Sequence, residues 1–85
     1  MNFKQTIQHT IEQHAERFKD ISLYIGANPE LGNEEFLASA RLKEELAFHG
    51  FEVQAPILGI ETAFIATYKA VKPGPVVAFL AEYDA

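Results

Sequence analysis

The 85-residue chain contains no cysteine. This excludes a disulfide framework and any thiolate metal site within it, and argues against a small secreted domain held by cross-links. No apolar run approaches the ~18 residues of a membrane span, and Met1-Asn2-Phe3-Lys4 leads into a polar pattern instead of a signal-peptide core. Positive charge is scarce: seven Lys and Arg, scattered along the chain, face twelve Asp and Glu, for a net charge of −5. No phosphate-tracking stripe can be built from so few, which disfavours nucleic acid and anionic membranes as partners. The expectation from these absences is a soluble, cytoplasmic protein. With 48% apolar and 22% charged residues the rest is ordinary globular material, so disorder does not explain the small size. A chain of 9.5 kDa is one small domain or a piece of a larger one, and buries only about 60–65% of its unfolded surface.

From Phe3 onward the apolar residues Phe3, Ile7, Ile11, Phe18, Ile21 and Ile25 keep one face of a helix apolar. His14 falls on the same stripe and is expected to be partly covered. Gly26 stands where the helix should stop, and Asn28-Pro29 turns the chain into a loop through Gly32. A second helix is predicted from Asn33, as N-cap, to His49. Glu34 and Glu35 would then lie in its first turn, where the helix dipole favours carboxylates. Ala38, Leu42 and Leu46 form its modest buried stripe. Gly50 followed by apolar Phe51 supplies the left-handed residue and hydrophobic contact of a Schellman-type stop.

Phe51 to Ala55 alternates apolar and polar residues as a half-buried strand does, and Pro56 ends it. Thr62 to Tyr68, rich in β-branched and aromatic residues, is the second predicted strand, and Lys72-Pro73-Gly74-Pro75 is a turn. Val76 to Ala81 is apolar without alternation, the pattern of an interior strand covered on both faces. Two helices and two other strands hardly supply the layers that such a strand needs. The expectation is the amino-terminal piece of a larger α/β domain, and the alternative is a small α+β interaction module that buries its apolar strand in a partner or a dimer.

Glu82 and Asp84 are the strongest candidate site residues. Positions two apart at a strand end point the same way, and open α/β sheets gather ligands beyond the carboxyl ends of their strands. Two carboxylates could bind a cation or orient a ligating histidine, but two residues are not a metal site. His9 and His14, about 140° apart around a helix, cannot chelate one ion. His49 at a helix end reads as a favourable cation for the dipole, and Glu30 as a solvated loop carboxylate. There is no Gly-rich phosphate loop, no Gly-x-Ser-x-Gly elbow and no histidine-pair zinc helix.

Three features occur in a familiar order. These are Asn28-Pro29-Glu30-Leu31-Gly32 with Glu35 after it, a helix ending in Leu46 and Gly50-Phe51-Glu52-Val53, and Gly74-Pro75-Val76-Val77-Ala78 running into Leu80-Ala81-Glu82-Tyr83-Asp84-Ala85. In order and spacing the chain resembles, from about Phe18 onward, the amino terminus of the co-catalytic metallopeptidases and amidohydrolases. These include aminoacylases, hippurate hydrolase and p-aminobenzoyl-glutamate hydrolase. Many relatives end this strand with a histidine that ligates metal and, two residues on, an aspartate that holds it. Here Glu82 takes the histidine position and Asp84 matches the aspartate. Gly26 and Asn28 likewise stand where hippurate-hydrolase-like members often carry histidines. The Ala-Glu-Tyr-Asp-Ala ending is similar to the p-aminobenzoyl-glutamate hydrolase and dipeptidase-like subgroup, whose first ligands lie in a Cys-Gly-His stretch downstream.

For the fold, the resemblance implies that residues 1–85 are the helix-helix-strand-strand-strand portion of a zinc-peptidase-like α/β catalytic domain with a mixed central sheet. For function it implies a parent enzyme, compatible with a homodimer, that hydrolyses the amide bond of a small N-acyl amino acid or dipeptide. Two zinc or manganese ions would activate water, and a downstream glutamate would be the general base. This chain would contribute scaffold and a supporting Asp84, with no catalytic residue or metal ligand of its own.

Overall fold

The first apolar stripe forms helix α1, Phe3–Ala27, in a computed structural model that describes residues 2–85. Asn2 starts the helix with a capping box. Its Oδ1 accepts from Gln5 N at 2.8 Å, and its own N–H donates to Gln5 Oε1 at 3.2 Å. Gly26 is not the stop that was expected, because the helix continues through it to Ala27. Asn28 ends it instead, donating its backbone N–H to Ile25 O and its side-chain amide to Tyr24 O. The apolar face is core only in part: Ile21 is buried, but Phe3, Ile7 and Ile11 are exposed. The shorter α2 pairs with the later part of α1, through Arg17–Glu45 and His14–His49.

Helix α2 spans Phe36–Phe48 with Glu35 as N-cap, so the predicted cap at Asn33 is two residues too early. Asn33 adopts a left-handed φ of 66°, and Glu35, in the cap position, makes no side-chain cap bond. The free N–H groups of the first turn are instead taken by Glu30. Its two carboxylate oxygens accept from Leu37 N at 2.9 Å and Ala38 N at 3.0 Å. Glu30 is therefore a helix cap supplied from the preceding loop and not merely a solvated carboxylate, with its charge at the positive end of the dipole. Glu30→Ala is expected to destabilise the chain by about 1 kcal/mol, the usual cost of losing a cap, as a lowered urea midpoint of the helical circular-dichroism signal. An unchanged midpoint would mean that water replaces the cap at no cost.

The end of α2 is the predicted one. Gly50 has φ 88°, Phe51 N donates to Leu46 O at 3.0 Å, and Gly50 N donates to Ala47 O at 3.1 Å. These are the two bonds of a Schellman motif.

Strands β1, Glu52–Gln54, and β2, Ile65–Thr67, pair antiparallel, with Val53 opposite Ala66. Both lie inside the predicted segments but are shorter. The alternation is as read: Val53 is half-buried, while Glu52 and Gln54 face solvent. Between the strands, Ile57 and Ile60 exchange backbone hydrogen bonds of 3.3 and 2.9 Å around Leu58 and Gly59, whose φ angles are 51° and 77°. That is the two-residue turn with both central φ values positive, a feature the sequence did not announce.

The third predicted strand does not form. Val76 to Ala81 pairs with no neighbour, and Val76, Val77, Phe79 and Leu80 are 70–102% exposed. A strand owes its backbone order to bonds from adjacent strands, and β1 and β2 pair only with each other. The expectation of deep burial for this run is corrected with it. The described residues are α/β in the broad sense of two helices and one two-stranded sheet. They contain no mixed central sheet.

Candidate functional site

After β2 the chain runs exposed from Tyr68 to Glu82 and returns to the body at Tyr83. The phenolic hydroxyl of Tyr83 donates to the backbone carbonyl of Thr62, and its ring lies 6.0 Å from that of Phe64. Tyr83 is half-buried, whereas Glu82 and Asp84 on either side are exposed. The three residues form one wall of a groove of about 510 Å³. Phe18, Ile21 and Ile25 of α1 and Leu42 and Leu46 of α2 supply its apolar lining. The structure thus brings the two candidate carboxylates to the same apolar hollow, although the strand that was to carry them is not formed.

Thr62, which receives Tyr83, is itself buried at 3% exposure. Close to it lies the buried carboxylate of Glu35, whose Oε1 accepts from Asn33 N at 2.8 Å. Burial alone would push the Glu35 carboxyl up. The Thr62 hydroxyl and the N–H groups of Glu35 and Asn33 outweigh it and hold the carboxyl below the ordinary range. Glu35 therefore ties the loop before α2 to the segment before β2.

The strongest charge cluster sits at the helix interface. Buried Glu45 accepts from Arg17 Nε at 2.5 Å, His49 Nε2 at 2.6 Å and Arg41 Nη1 at 3.0 Å. Desolvation would raise its pKa, but the bonds from Arg17, His49 and Arg41 and the charge of Arg17 lower it from 4.5 to about 2. The Arg17 guanidinium also lies 4.3 Å from the centre of the Phe48 ring. His49 thus serves a neighbouring carboxylate as well as a helix end, and the half-buried His14 faces it at 5.4 Å between ring centres. The cluster is a clamp between α1 and α2, with all three donors engaged on one carboxylate.

Sequence reasoning named Glu82 and Asp84 as candidates and passed over Tyr83, Thr62 and Glu45. The i, i+4 spacing of Arg41, Glu45 and His49 was the available signal for the last. Among the described residues, no group of three or more His, Asp or Glu side chains could hold a metal ion. Glu82 and Asp84 alone do not fit one.

The chain matches no protein-family profile. It is 39% identical over 79 residues to one of the subunits of p-aminobenzoyl-glutamate hydrolase from Escherichia coli (strain K12). That similarity covers 93% of this chain and 16% of the relative. The resemblance to amidohydrolases drawn from the three motifs therefore extends over nearly all of the chain, which spans a small part of its relative's length.

Proposed function

We propose that these residues belong to a longer metal-dependent amidohydrolase that cleaves the amide bond of a small N-acyl amino acid or dipeptide of the p-aminobenzoyl-glutamate type. The observation that supports this reading is the similarity, across nearly the whole chain, to part of a p-aminobenzoyl-glutamate hydrolase. The enzyme works in the cytoplasm and is built from more than one subunit, a reading that the relative's subunit name supports. Two divalent ions, zinc or manganese, supply Lewis acidity and an activated water when bound, and their ligands lie in other residues of the protein. The part played by this chain is structural and supporting. Helices α1 and α2 and the β1–β2 pair hold the Ala81–Ala85 segment, and Asp84 orients a metal-bound group by accepting its hydrogen bond.

The test compares the 85-residue chain with the complete protein on p-aminobenzoyl-glutamate, each with zinc or manganese added. The complete protein is expected to release glutamate and to lose turnover in a chelator. The short chain is expected to show no turnover and no tight stoichiometric zinc binding by calorimetry. Chelator-sensitive hydrolysis by the short chain would overturn the supporting role assigned to it. A reading frame that ends at Ala85 would favour the small interaction module, for which the exposed Val76–Leu80 run is the natural contact.

A further inference from the structure

Among the described residues beyond β2, one side chain returns to the folded body with a defined bond. From Tyr68 to Glu82 every residue is exposed, and Tyr83 then places its ring near Phe64 and its hydroxyl on the Thr62 carbonyl. Seating Tyr83 on Thr62 therefore fixes the backbone between Glu82 and Asp84, which are exposed and line the same groove as Tyr83. The acceptor is a backbone carbonyl, and its residue is buried against the loop that Glu35 organises. The seat is thus part of the folded body and not another surface side chain.

We propose that Tyr83 is a positioning residue that sets the direction of Asp84, and with it Glu82, through the Thr62 anchor. This inference deepens the reading of Asp84 as a supporting carboxylate and rests on it. A carboxylate that holds another group's orientation acts only when its own direction is set, and a misplacement of about 1 Å can cost as much as 100-fold in rate. Tyr83 supplies that direction without touching the reacting atoms.

Tyr83→Phe keeps the ring and removes only the donor, so it tests the anchor with little risk to the fold. In the 85-residue chain, amide exchange and carboxylate carbon shifts of residues 82–84 are expected to move toward their values in an unstructured peptide. The β1 and β2 amides should remain unchanged. In the complete enzyme, with p-aminobenzoyl-glutamate as the probe, kcat is expected to fall about tenfold with KM nearly unchanged, by misorientation of the supporting carboxylate. Unaltered exchange and shifts at residues 82–84 would overturn the anchor. Loosened residues 82–84 with wild-type kcat, alongside a damaged Asp84→Asn enzyme, would overturn the positioning role and leave the reading of Asp84 intact. A silent Asp84→Asn would overturn both.

Discussion

Glu45→Ala is expected to destabilise the chain by about 2 kcal/mol and to separate α1 from α2 before the β1–β2 pair is lost. Removing one member of a buried, hydrogen-bonded charge cluster commonly costs about 3–5 kcal/mol, because the others keep their desolvation without their partner. The cost here falls below that range because Arg17, Arg41 and His49 have side chains 41%, 27% and 30% exposed and can turn to water. Urea unfolding followed by helical circular dichroism reads the loss, and a midpoint shift no larger than that of Glu30→Ala would refute the clamp.

The same cluster fixes the sign of the acid dependence. The Glu45 pKa is depressed from 4.5 to about 2 in the folded chain. Its stabilisation is therefore complete above pH 4.5 and fades as the pH falls toward 2. Glu35, whose pKa is also lowered, acts in the same direction. Glu45→Gln should flatten the acid limb of a stability–pH curve and leave the residual slope that Glu35 supplies. A variant with an undiminished acid limb would show that other carboxylates set it.

In the complete enzyme, Asp84→Asn is expected to reduce metal affinity or turnover by about 10–100-fold, the usual loss when the partner of a metal-bound group is removed. Asparagine keeps the shape and removes the charge. Since Asp84 is exposed at the mouth of the groove, thermal stability should barely change. Glu82→Gln is the control beside it, because a larger effect there would move the contact with metal or substrate to Glu82. Wild-type turnover and metal affinity in Asp84→Asn would leave the carboxylate as solvation of a chain segment and remove it from the site.

Features governed by near neighbours were legible in the sequence alone. The periodicity of Phe3 to Ile25 marks α1, the Gly50-Phe51 pair marks the Schellman end of α2, and the alternation around Val53 marks β1. Each depends on bonds or packing within a few residues. The start of α2 was misplaced because its cap comes from Glu30, seven residues before Leu37, and local capping rules look only at the adjoining residue. The turn at Leu58-Gly59 was missed because it lacks the asparagine or aspartate that usually announces positive φ. Val76 to Ala81 was misjudged for a different reason. Its composition states what environment it favours, whereas strand formation requires a neighbour, and none is present among these residues. At the candidate site, the order of motifs was enough to select Glu82 and Asp84. Their place beside the apolar groove was decided by tertiary structure, because the groove is built from both helices and the anchor of Tyr83 lies 21 residues away at Thr62. The Arg17–Glu45 bond, spanning 28 residues, likewise exists only once the two helices meet, since hydrogen bonds and desolvation act through distance in space and not along the chain.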